Sequence, residues 1–288
     1  MDYEKFLQGI AWTKSVWKQR KHADEPECHN YTCFSYSALR KRGDDYWFHL
    51  ERMDRTDLEE EVVDCFLNTK RWYCHLDPPG TPERERMLCN LKKAVDKLPA
   101  YYASVHSLRI EDVDFEGSVV LKGEGKPVTF AIDSIYSIFR QVKHRFAAVA
   151  ASKLMHMAFP NLFILWDDSI INRGYGYHVP KQKLEGFGKR AWSYIAFLIL
   201  MQENIHHIKE TSPWGSSVTN QELFRRINGQ VGEKDLPITR LLDMANYAVA
   251  HPEKGAPTIK CHRCMQITNR KLDELEWSRE NKVGRYKC

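Results

Sequence analysis

Apolar positions recur every three or four residues through most of the chain, the spacing that lines one face of an α-helix. Residues 3–17 show it first, with Phe6, Leu7, Ile10, Ala11 and Trp17 ahead of the basic Lys18, Arg20 and Lys21. Residues 57–72 resume the pattern through Leu58, Val62, Phe66 and Leu67, and Pro78-Pro79-Gly80 breaks the chain's helical course beyond them. A third helix is expected at 83–98, carried by Met87, Leu88, Leu91, Val95 and Leu98. Helices at 132–139 and 146–158 come next, the second ending before Pro160, which has no N–H to continue the hydrogen-bond ladder. Helices at 186–210, 220–228 and 236–249 complete the series.

One stretch departs from this period. Val119-Val120-Leu121 and Val128-Thr129-Phe130 flank Gly123-Glu124-Gly125, which predicts two short strands and a turn. The expected fold is therefore mainly α, a helical bundle with a small β-hairpin insertion. Polar loop residues at 23–45 and a Pro/Gly linker at 251–257 suggest three parts. These are an N-terminal helix and loop (1–50), a helical core domain (51–255) and a C-terminal Cys-x-x-Cys module (256–288).

A chain of 288 residues is long enough to bury a sizeable core. The tryptophans at 12, 17, 72, 166 and 192 occupy apolar helical positions and are expected there. Residues 191–201 form the most apolar run, roughly half the length that crosses a bilayer, and so predict a buried helix and no membrane partner. Asp2, Glu4 and Lys5 interrupt any secretory signal at the start, which points to an intracellular, cytoplasmic protein. In a reducing compartment the eight cysteines are core residues or metal ligands before they are disulfides. Lys and Arg total 43 against 38 Asp and Glu, a net +5 that leans toward anionic partners.

Candidate chemistry concentrates between Arg145 and Asp167. Lys153 is the only formal charge among the small and apolar residues that separate them. An ammonium in partly apolar surroundings is costly to keep charged, so a neutral, nucleophilic amine becomes available. Asp167 closes the apolar run 162–166, from which a carboxylate would face that amine. The plainer assignment has Lys153 snorkelling to water and Asp167 or Asp168 capping the next helix.

The order Ser152-Lys153, a short apolar helix, Pro160, an apolar run, then Asp167 and Ile170 resembles the core of the helix-hairpin-helix DNA glycosylases. The resemblance covers about residues 145–177 and implies a helical protein that flips a base from the duplex and cuts its bond to the sugar. It implies Lys153 as the Schiff-base amine and Asp167 as the charge-stabilising carboxylate. Lys143, Arg145 and Arg173 would contact phosphates, with Tyr175 in the turn at 173–178 where rings stack on an unpaired base. The partner would be nucleic acid, DNA before RNA. The Gly-Val-Gly hairpin of that family is absent, residues 146–151 standing in its place, and the Lys-to-Asp spacing is shorter. These departures keep two alternatives open: a non-catalytic nucleic-acid-binding or adaptor protein on the same scaffold, or an enzyme acting on free or modified nucleotides.

Cys261-His262-Arg263-Cys264 sits between two short strand-like runs, half of a zinc ribbon. Cys288 supplies a third ligand for a structural zinc, with Cys28 or Cys33 among the candidates for the fourth. His22, Cys28, His29 and Cys33 form a second possible ligand group whose spacing fits no common site.

Overall fold

The computed structural model describes residues 1–19, 80–143, 147–166, 191–234 and 236–251. Expectations for the loop at 23–45, the helix at 57–72, Trp72, the His22/Cys28/His29/Cys33 group and the module at 256–288 lie outside these residues. So do the side chains of Trp17 and Trp192. Among the described residues there are eight α-helices and one two-stranded sheet, so the protein is mainly helical.

Helix α1 (Tyr3–Gln19) turns Tyr3, Phe6, Ile10 and Thr13 inward, and packs along the last described helix, α8 (Ile238–Val249). Thr13 Oγ1 donates to Met244 O at 2.7 Å across that contact. Helix α2 (Pro82–Val95) starts as its sequence dictates. Thr81 Oγ1 accepts from Arg84 N at 3.3 Å, Pro82 opens the first turn, and Glu83 and Glu85 complement the positive end of the helix dipole. Pro99, again at a first helical position, opens the short α3 (Pro99–Val105), which the apolar pattern does not indicate.

The first strand of the hairpin lies where expected, and the second a few residues earlier. Strand β1 (Ser118–Leu121) pairs antiparallel with β2 (Glu124–Pro127), Val119 opposite Lys126 and Leu121 opposite Glu124. Lys122 and Gly123 make the reversal, both with positive φ, +50° and +83°. That is the two-residue turn whose twist matches the flanking strands. Val128-Thr129-Phe130 is not a strand: it is the first turn of α4 (Val128–Arg140). Pro127 ends the ladder because it has no N–H to donate, and the buried set Val128, Ala131, Ile132, Ile135, Tyr136 and Phe139 then keeps helical spacing throughout.

Helix α5 (Ala147–Ala158) packs against α4, as does α6 (Ala191–Thr211). Helix α7 (Asn220–Gln230) is capped by Thr219, whose Oγ1 accepts from Glu222 N at 3.2 Å. The return to α8 is held by Asn228, which accepts from Leu236 N at 3.1 Å and donates to Leu236 O at 3.0 Å.

Helix α8 is buried almost all round. Leu241, Leu242, Met244 and Ala245 are fully enclosed, and burial of each larger side chain contributes about 1.5–3 kcal/mol. Four of its buried positions are nonetheless polar: Thr239, Arg240, Asp243 and Asn246. Among the described residues no helix is long and apolar enough to cross a membrane.

Candidate functional site

Residues 160–166 come after α5 without forming helix or strand, yet Leu162, Phe163, Ile164 and Trp166 are buried to 1% exposure or less. An irregular backbone inside a core must find its hydrogen bonds somewhere. Side chains of the surrounding helices supply most of them, and the backbone at Ile110 supplies another. Pro160 O accepts from Thr239 Oγ1, and Asn161 O accepts from Ile110 N at 2.9 Å. Phe163 O accepts from His156 at 2.6 Å, which requires the hydrogen to sit on Nδ1. Tyr194 Oη donates to Ile164 O at 2.6 Å, and Leu165 N donates to Asp243 Oδ1 at 3.0 Å. Trp166 N donates to Ser152 Oγ at 2.8 Å.

The segment is thus a strap held by α5, α6 and α8 through the polar groups those otherwise apolar helices carry. Its aromatic lining is continuous. The Trp166 ring meets Phe197 edge-on at 5.4 Å, and Tyr194 stacks on Tyr136 at 5.4 Å. Leu165 and Trp166, adjacent in sequence, tie together Asp243 of α8 and Ser152 of α5. Lys153, the residue after Ser152, is half-buried.

Asp243 is the unusual group here. It is 5% exposed, one carboxylate oxygen takes the Leu165 N–H, and Oδ2 has no hydrogen-bond partner among the described residues. Burial pushes its carboxyl up from 3.8 to about 7. The Arg240 guanidinium, the Leu165 N–H and the Lys153 ammonium, in that order, pull the other way. Arg240 Nη1 stands 3.9 Å from Oδ2, longer than a charge-assisted hydrogen bond. Tyr194 is held well above its ordinary value, first by burial and then by the Asp243 charge.

Of the residues singled out from sequence, Lys153 stands at this junction and Trp166 ends the described strap next to it. Lys143 lies just past α4 and is only 7% exposed. Asp167, Arg145, Arg173, Tyr175, Cys261, Cys264 and Cys288 lie outside the described residues. Among those described, no group of three or more His, Cys, Asp or Glu is placed to hold a metal.

Sequence reasoning passes over Asp243. Its signal is present: Thr239, Asp243 and Asn246 stand at i, i+4 and i+7 on an otherwise apolar helix, a polar stripe inside a core. No protein-family model, no curated protein and no solved structure matches this chain.

Proposed function

We propose that the protein processes a base in nucleic acid, in the manner of a DNA N-glycosylase. The Lys153 amine attacks the sugar C1′ of a flipped nucleotide, a C–N bond forms there, and the base leaves with the electron pair of its own glycosidic bond and takes up a proton; loss of a proton from the bound nitrogen and opening of the C1′–O4′ bond, with O4′ protonated, then give the imine. Asp167 stabilises the positive charge that develops on the sugar, Arg145 and Arg173 hold flanking phosphates, and Tyr175 stacks on the base. A structural zinc at Cys261, Cys264 and Cys288 belongs to the same reading. What carries it is a half-buried lysine on α5, next in the chain to Ser152, whose hydroxyl holds Trp166 of the buried strap.

The test is covalent trapping. Protein incubated with duplex and single-stranded DNA carrying abasic sites or altered bases is treated with borohydride, which reduces an imine to a stable adduct. Adduct is expected with the unaltered chain, and Lys153→Ala should lower its yield at least about a hundredfold, in line with removal of a nucleophile. Replacing the exposed Lys97 by Ala should leave it unchanged. The absence of the family's glycine hairpin favours a second reading, a nucleic-acid-binding protein without chemistry. That protein would bind DNA with affinity falling steeply as salt rises and would trap nothing on any substrate.

A further inference from the structure

We infer that the turn 109–113 is a pH-sensitive latch: while the Glu111 carboxyl is neutral the turn stays clasped to α6 and α7, and once that carboxyl ionises the turn opens and releases its hold on the strap. The latch is separate from the proposed reaction and needs neither Lys153 nor Asp167.

The clasp is made of side chains. Residues 106–117 join α3 to β1 without helix or strand, and their backbone carbonyls must find donors elsewhere. Gln202 of α6 donates through its amide nitrogen to Ile110 O at 2.9 Å and to Val113 O at 2.7 Å. His206, one helical turn further on, donates through Nε2 to Glu111 O at 3.2 Å, a bond open to the neutral and the charged ring alike. Asn220, the first residue of α7, donates to Asp112 Oδ1 at 2.7 Å, and Lys209 Nζ donates to Asn220 Oδ1 at 3.1 Å. Ile110 N in turn donates to Asn161 O at 2.9 Å, so the same turn ties down the start of the strap.

Glu111 gains little from being clasped. Its side chain is 3% exposed, and Oε1 meets Arg109 Nε at 3.1 Å, from a side chain that is itself 49% exposed. Oε2 is buried with no hydrogen-bond partner among the described residues. An ionised carboxylate here loses its hydration and recovers its own N–H and one guanidinium that solvent screens. The charged groups acting on it are Arg109, which favours the ionised form, and Asp112, which opposes it. From α6 the turn meets His206 and, through Asn220 of α7, Lys209; from the strap it meets the neutral Asn161. Burial outweighs these influences and holds the carboxyl above its ordinary 4.5. The clasped form is therefore fully favoured below 4.5, and that preference is lost as pH rises through the higher value of the clasped state. Opening exchanges the Gln202 and His206 bonds for bonds to water, whereas an ionised Glu111 kept inside has no such exchange.

Hydrogen exchange of the intact chain, read by NMR at the amides of Ile110 and Val113, tests the latch without any ligand. These N–H groups donate to Asn161 O and Arg109 O, bonds that belong to the clasped turn. After correction for the intrinsic pH dependence of exchange, their protection should fall as pH is raised from 4.5 to about 8, beyond any change at amides inside α4. Release of one proton limits the fall to about tenfold per pH unit. Glu111→Gln keeps an acceptor for Arg109 and carries no charge to expel, so both amides should stay protected across the range. Gln202→Ala should lower their protection at acid pH as well, because the clasp itself is gone. Protection that does not change with pH in the unaltered chain overturns the inference, as does a pH-dependent loss that Glu111→Gln retains. Full protection at acid pH in Gln202→Ala overturns it too, since something other than this clasp would then hold the turn.

Discussion

Two arginine–carboxylate pairs, each spaced i, i+3 on a helix, stand in opposite surroundings. On α7 Glu222 receives Arg225 Nε at 2.8 Å, and Arg226 Nε binds the other carboxylate oxygen at 2.6 Å. These bonds hold the Glu222 carboxyl down, from 4.5 to about 2. On α8 Arg240 and Asp243 are separated by 3.9 Å, and burial drives the Asp243 carboxyl up to about 7. The same i, i+3 spacing thus accompanies opposite shifts. A surface carboxylate keeps its hydration and gains hydrogen bonds, whereas a buried one loses hydration first and recovers only part of it from its neighbours.

Breaking the buried pair should have the largest effect. Arg240→Met keeps much of the side-chain bulk and removes the cation that acts most strongly on the Asp243 carboxylate. Loss of one partner of a buried pair costs roughly 3–5 kcal/mol, and urea unfolding at pH 8 should show a loss of that order. At pH 5 the deficit should shrink, because Asp243 is then protonated and needs no counter-charge. An equal loss at both pH values would mean that Arg240 acts otherwise than through Asp243.

The pH dependence of the unaltered chain is a smaller and more specific effect. Asp243 binds its proton more tightly folded than unfolded, so between 3.8 and about 7 the native state carries more protons. Stability should therefore fall as pH rises through that window, with Asp243 contributing up to about 1.4 kcal/mol per pH unit. Below the window both states are protonated and above it both are ionised, so the slope from this group vanishes on either side. Asp243→Asn should remove it, and matching slopes in the two proteins would refute the assignment.

Helices are legible in the chain where local rules agree with burial. The spacing predicts helices over 220–228 and 236–249, and they are seen as Asn220–Gln230 and Ile238–Val249. The hairpin is present as expected, but its second strand is displaced. β-branched and aromatic Val128-Thr129-Phe130 fit strand preference, and only the packing of Ala131, Ile132 and Ile135 below them makes the helix win. The strap is visible as an apolar run, while its hydrogen bonds are not foreseeable by periodicity. Ser152, His156, Tyr194, Thr239 and Asp243 come from three helices up to 91 residues apart in sequence, and their shared purpose exists only after folding. Lys153 stands out because charge is scarce around it; Asp243 does not, because one acid in a helix of ordinary length attracts no notice.

The smallest expected effect closes the comparison from its other side. Glu222→Gln removes the surface charge that Arg225 and Arg226 share. Those bonds form in water, where the ions exchange one set of partners for another and salt screens what remains. Arg226 also keeps a second contact, its guanidinium lying 4.9 Å over the Trp214 ring, so losing Glu222 does not release it. The stabilising influence of Glu222 is present above about 4.5 and fades as pH falls toward 2, the reverse of the direction for Asp243. At pH 7 and moderate salt the urea midpoint of Glu222→Gln should match that of the unaltered chain, with a difference emerging only as salt is withdrawn. A midpoint shift as large as that of Arg240→Met would show that surroundings do not separate the two pairs, and would remove the ground for treating Asp243 as a special group.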